Sequence, residues 1–167
     1  FRSLAKGLRR CYRTSREAFQ HAFDVARDED LHEWRKGVQH HWRQMQLLAA
    51  CWPSELSARV EASRTLSQLL GDDHDIALLT QLVSTPTMTF GQPEEIAAFL
   101  KRCRKRHKAL RKEARAKAEI SFVEKPGPFS NRIAAYWLSA AGKAASAAAT
   151  EQPINVVAFG DLRTRAS

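Results

Sequence analysis

The chain of 167 residues is long enough for one domain, and 44% of its residues are hydrophobic, which suffices for a core. It carries 27 Lys and Arg against 18 Asp and Glu, and this net charge of +9 favours a polyanionic partner: nucleic acid, polyphosphate or an anionic membrane surface. Three widely spaced cysteines without a CxxC pair argue against a disulfide framework and a zinc site, and no apolar run is long enough to span a membrane.

Helical periodicity predicts two helices in the first third of the chain. The first runs over about residues 3–27, with apolar residues three and four positions apart that form one buried stripe. A short acidic break follows, and Asp30 is predicted to cap the second helix, which continues to about Cys51. The second helix is predicted to end at Trp52-Pro53, because the residue before a proline avoids helical geometry.

Two further helices are predicted before the middle of the chain. Ser54 is expected to cap a third helix that reaches Leu70, and Gly71 is expected to stop it. Asp72 or Asp73 then opens a fourth, shorter helix that extends to about residue 83.

The second half of the chain is predicted to hold a loop, two helices and a tail. The loop covers residues 84–92, a fifth helix covers about 93–120, and a sixth covers about 129–149. Residues 151–167 are predicted to form a loosely attached tail on a domain of residues 1–150. The expected fold class is all-α, an antiparallel bundle of about six helices.

Cations of one sign are concentrated on single helix faces. On the first helix, Arg9, Arg13 and Arg16 share one face with Arg2 and Lys6. Like charges three or four residues apart each destabilise a helix by roughly 0.2–0.5 kcal/mol. A face kept only for solubility would mix positive and negative charges, so this face favours an interpretation as a binding surface.

The second and fifth helices show the same feature. The second helix places His32, Arg35, Lys36 and Arg43 on one face. Residues 101–117 in the fifth helix include ten Lys or Arg, with Glu113 as the only acid. One broad side of that helix is predicted to hold Lys101, Arg104, Lys105, Lys108, Arg111, Lys112 and Arg115. Phosphate oxygens suit such groups, since Arg and Lys give them charge-assisted hydrogen bonds.

The histidines and the acidic run at 72–75 leave alternatives open. His32 is either a surface histidine or a phosphate donor whose charge rises when an anion binds, whereas His41 and His107 are predicted to lie in the core. Residues 72–75 are predicted to act first as helix caps, with a metal or acid–base site as the alternative. No P-loop, HExxH or GxSxG motif is present, so no enzyme activity and no cofactor are predicted.

Four ordered motifs resemble the CHAD domain, the conserved-histidine α-helical domain. They are GLRRCYRTSREAF at 7–19, LHEWRKGVQHHWRQMQLL at 31–48, LGDDHDIALL at 70–79 and FVEKPGPFSNRIAAYW at 122–137. Together they cover about residues 4–140 and are similar to the later of the two bundles in that family. The sequence departs from the family at Gly37, Gln39 and Gln46, where Arg or Lys is common, and at Arg43, where an aromatic residue is common.

The resemblance implies helical bundles that bind inorganic polyphosphate at polyphosphate granules and beside granule proteins, and a second chain that could complete the groove. The cysteines on apolar helix faces indicate buried, reduced thiols in the cytoplasm. The basic face of the fifth helix is carried over with the motif positions. The other implied site residues are Arg9, Arg10, Arg13, Arg16, His32, Arg35, Lys36, His74, Lys125 and Arg132. Three alternatives stay open: a nucleic-acid-binding module, a metal-dependent phosphohydrolase that uses His32, Asp73, His74 and Asp75, and a scaffold for an acidic protein.

Overall fold

The computed structural model describes residues 2–25, 27–85 and 90–150, and this part of the chain is almost entirely α-helical. The predicted tail and residues 86–89 of the predicted loop lie outside it. No strand occurs in the described ranges, which confirms the all-α fold class. The helices are α1 (Arg2–Val25), α2 (Asp28–Leu48), α3 (Pro53–Val83), α4 (Pro93–Ser121) and α5 (Pro126–Thr150), with a single 3-10 turn at Ala49–Cys51.

The predicted third and fourth helices are one continuous helix, α3. Gly71 lies inside it, and the prediction that this glycine stops the helix is wrong. A glycine ends a helix by adopting a left-handed conformation, and among the described glycines only Gly91 has a positive φ. Asp73 does not open a helix either, because it is buried in the middle of α3.

Two other predicted helix starts are displaced by a few residues. Ser54 is not the cap of α3, since Trp52 occupies that position and Pro53 is the first helical residue. Asp30 is not the cap of α2, which begins at Asp28; the Asp30 carboxylate instead accepts a hydrogen bond of 2.9 Å from Arg27. The last helix starts at Pro126 and not near residue 129, because a proline is tolerated in a first helical turn.

The core lies where α1 contacts α2 on one side and the first turns of α5 on the other. Tyr12 stacks on Phe129 with a centroid distance of 4.1 Å, and Trp34 is fully buried nearby. His41 is only 2% exposed and packs beside the Tyr12 ring, which confirms it as a core histidine. Burial lowers the pKa of His41 to about 4.

The α1–α2 contact depends on Gly37. A Cβ atom added there would lie 2.8 Å from Ser15 Oγ and 3.3 Å from Ser15 Cα. The glycine therefore faces α1 and not the exposed side of α2. The departure from the pattern of the resembled family at this position therefore lies in a packed contact and not on the predicted basic face.

Candidate functional site

The exposed side of α1 presents cations without internal partners. Lys6, Arg9, Arg10 and Arg13 are exposed, and none of them makes an ion pair or side-chain hydrogen bond within the described ranges. Arg16 differs, since it is half-buried and its Nε donates to the Phe122 carbonyl oxygen at 3.0 Å. The predicted basic face of α1 is therefore present, with Arg16 attached to the turn between α4 and α5.

The start of α5 extends this basic surface. A guanidinium nitrogen of Arg9 lies 3.7 Å from the position that a Cβ would take at Gly127. The neighbouring Lys125 is exposed and has no ion-pair partner among the described residues. Two segments 116 residues apart in sequence thus bring cations together at one place.

A second group of donors lies where α2 meets α3. The rings of His32 and His74 pack with their centroids 4.5 Å apart and an interplanar angle of 31°. Two guanidinium nitrogens of Arg35, including Nε, lie 3.7 Å from the position a Cβ would take at Gly71, so the guanidinium packs against this glycine of α3. His32 Nδ1 and Arg35 Nε are buried without a hydrogen-bond partner in the described structure. Buried polar atoms left unpaired are unfavourable, and Arg35 Nε can only donate, which makes this junction a candidate for binding a ligand with acceptor oxygens.

The charge around this histidine pair changes along α2. The pKa of His32 lies below its usual value, first because the side chain is desolvated and then because His74 and Lys36 are close. Towards the start of α2, a cleft of about 540 Å³ is lined by both histidines and also by Asp28, Glu29 and Glu33. Towards the other end, Arg43 is exposed and unpaired in the described structure. A polyanion is therefore favoured on the Arg43 side of the pair and repelled on the acidic side.

The exposed side of α4 agrees with the predicted basic face except at two arginines. Arg111 is half-buried and donates to both carboxylate oxygens of Asp73 at 3.0 and 3.1 Å, and to Asp28. Arg115 pairs with Glu119 at 3.1 Å and lies over the Phe23 ring. The other predicted cations of α4 are exposed and make no ion pair within the described ranges: Lys101, Arg104, Lys105, Lys108 and Lys112.

Arg132 is also occupied by internal contacts. It donates to Glu124 through two nitrogens and contacts the Tyr136 hydroxyl at 3.4 Å. Glu124 also accepts a hydrogen bond of 2.6 Å from Arg59, so this carboxylate joins α3 to α5. The roles of Arg59 and Glu124 do not follow from helix faces; the signal in the sequence is Glu124 within the EKP segment of the last motif.

The members of the acidic run at 72–75 contact different helices. Asp73 faces α4, where His107 Nδ1 lies 2.6 Å from its Oδ1, whereas His74 faces α2. Adjacent residues of the run thus contact different helices. Across the described ranges, no group of three or more His, Cys, Asp or Glu side chains could hold a metal ion.

Comparison with known proteins identifies one family. The family model of the CHAD domain matches residues 1–84, just over half of the chain, and this range contains all of α1, α2 and α3. No curated protein and no solved structure matches the chain. The CHAD family is linked to polyphosphate in general. Within the described residues, each helix is too short or too polar to cross a lipid bilayer.

Proposed function

Because the chain belongs to the CHAD domain family, we propose that it binds inorganic polyphosphate through the exposed cations of α1, α2 and α4. One observation carries the proposal: most cations on these faces have no carboxylate partner in the described structure, although they repel one another. The exceptions are Lys36, which pairs with Glu33 at 2.7 Å, and the two arginines of α4 described above, Arg111 and Arg115. Lys6, Arg9, Arg10 and Arg13 on α1 and Arg43 on α2 are all exposed and unpaired in the described structure. A linear polyanion would neutralise them and would supply acceptor oxygens to the donors at the α2–α3 junction.

The position of the aromatic residues favours polyphosphate over nucleic acid. Single-stranded nucleic acids are bound by basic grooves whose exposed aromatic side chains stack on the bases. Trp34 is fully buried beneath the basic face of α2, and Trp42 is half-buried. The exposed Trp52 lies beyond the end of α2, edge-on to Tyr136. Polyphosphate needs charge and hydrogen bonds but no stacking surface.

We propose that the bound chain is not hydrolysed. Of the two carboxylates in the phosphohydrolase alternative, Asp73 binds Arg111 and His107 inside the protein. The proposal places the protein in the cytoplasm, at polyphosphate granules and beside their proteins. Incubation with polyphosphate and divalent cations should release no phosphate; turnover that disappears in His74→Ala would contradict this part of the proposal.

Binding of labelled long-chain polyphosphate, measured by fluorescence anisotropy at several salt concentrations, tests the proposal. The logarithm of the binding constant should fall linearly with the logarithm of the salt concentration. By analogy with nucleic acids, each phosphate contact adds about 0.7–0.9 to the steepness of this slope. The triple variant Arg9→Gln, Arg13→Gln, Arg43→Gln should therefore bind more weakly and lower the slope by about 2–3.

A charge-matched control distinguishes specific contacts from the effect of net charge. The triple variant Arg64→Gln, Lys117→Gln, Lys143→Gln removes the same charge from α3, from a half-buried position of α4 and from α5, none of which is among the exposed cations of the proposed surface. It should retain the salt slope of the original protein. Equal loss in both triple variants, a flat salt response, or displacement of polyphosphate by equimolar RNA would contradict the proposal.

A further inference from the structure

The pattern of charges on α2 is repeated on α4. On α2, His32, Arg35, Lys36 and Arg43 occupy offsets 0, 3, 4 and 11, with Gln39 at offset 7. On α4 the same five offsets carry only cations, which we call the α4 strip: Lys101, Arg104, Lys105, Lys108 and Lys112. All five are exposed and without ion pairs in the described ranges. The strip spans about 16 Å along one side of the helix.

The two helices also bury the same positions relative to these cations. Offsets 2, 9 and 13 are buried in both: Trp34, His41 and Met45 on α2, and Cys103, Leu110 and Ala114 on α4. Both helices therefore face the core with the same side. The cation offsets differ in exposure: on α2, His32 and Arg35 are half-buried against α3 and Lys36 pairs with Glu33 at 2.7 Å, whereas the whole α4 strip is exposed.

The α4 strip is separated from the cations of α1 and α2. Where the start of α2 meets α4, Asp28 pairs with Arg111, and the cleft beside it between α2 and α3 is also lined by Glu29 and Glu33. Between α1 and α4, Arg16 is bound to a backbone carbonyl and Arg115 to Glu119. Arg16, Arg111 and Arg115 are thus engaged in internal contacts, and the acidic residues at the start of α2 would repel an anion that crosses there.

We infer that the α4 strip is a second, independent polyphosphate-binding surface, so that one molecule holds two chain segments at once. This inference rests on the proposed function. A protein with two such surfaces links separate stretches of a long polyanion and gathers them by multivalent binding. A short chain that cannot reach both surfaces occupies each of them separately.

Calorimetry with a short polyphosphate of defined length measures the number of surfaces directly. The original protein should bind two short chains per molecule. The triple variant Lys101→Gln, Lys105→Gln, Lys108→Gln should bind one, as should Arg9→Gln, Arg13→Gln, Arg43→Gln, and the variant with all six changes should bind none. All six side chains are exposed, so glutamine leaves the packed core intact.

Long-chain polyphosphate provides the second measurement. Mixed with the original protein it should raise light scattering as chains are linked, whereas either triple variant should bind it without raising scattering. One short chain per original molecule, with both triple variants weakening that single event, would overturn the inference and leave the proposed function standing. No binding by the original protein would overturn both the inference and the proposed function. If RNA raised the scattering as much as polyphosphate does, the α4 strip would bind polyanions in general, and its assignment as a polyphosphate surface would be contradicted.

Discussion

The buried imidazole of His41 should make the stability of the protein depend on pH. The pKa of this side chain is lowered from 6.5 to about 4 because it is buried, with a smaller effect from Arg59. The unfolded chain therefore takes up the proton first as the pH falls. The contribution of the neutral imidazole to stability is complete above about pH 6.5 and is lost as the pH falls towards 4.

The size of this effect follows from the difference in pKa. Each pKa unit corresponds to about 1.36 kcal/mol, so about 2.5 kcal/mol of unfolding free energy should be lost between pH 7.5 and pH 4.5. Other groups also titrate in this range, and the comparison with His41→Leu isolates the imidazole. Leucine fills a similar volume and removes the Nδ1 atom, which lacks a hydrogen-bond partner in the described structure.

Urea unfolding of both proteins at the two pH values measures the difference. The original protein should lose about 2.5 kcal/mol more than His41→Leu on acidification. Equal losses would show that His41 is not buried and neutral in the folded state, and the reasoning would be refuted.

Three further predictions concern binding, packing and a buried charge. Bound polyphosphate should raise the pKa of His32, so its binding should tighten between about pH 7.5 and pH 6 and be accompanied by proton uptake. Calorimetry in two buffers of different ionisation enthalpy should show that His32→Gln takes up fewer protons on binding than the original protein. Gly37→Ala should destabilise the fold by about 1–3 kcal/mol, because the added methyl group has no space. Gly142→Ala, whose methyl group meets no atom within 4 Å, should stabilise the fold by up to about 1 kcal/mol. Thermal unfolding that ranks the two variants in the opposite order would refute the packing argument. Asp73→Asn should lower the free energy of unfolding, measured in urea, by about 3–5 kcal/mol, because it breaks a buried ion pair with Arg111. The control Asp72→Asn, at an exposed position, should change it by less than about 0.5 kcal/mol. Losses of similar size in the two variants would contradict the buried network.

Local sequence patterns determined the helices and which side of each helix is apolar or basic. The positions of Arg9, Arg13 and Lys105 on exposed faces follow from a period of 3.6 residues, which is a property of each helix alone. The same local signals failed at Gly71, because a glycine and an acidic residue suit a helix end but also occur inside a helix that tertiary packing stabilises.

Only the tertiary structure decided which of the predicted cations remain available to a ligand. Arg111 shares its helix and its basic side with Lys108, but Asp73 and Asp28 reach it from α3 and α2. Their separations in sequence are 38 and 83 residues. Helical periodicity assigns a residue to a side of its own helix, whereas ion pairing depends on how the helices pack against one another, and that packing is set by the whole core.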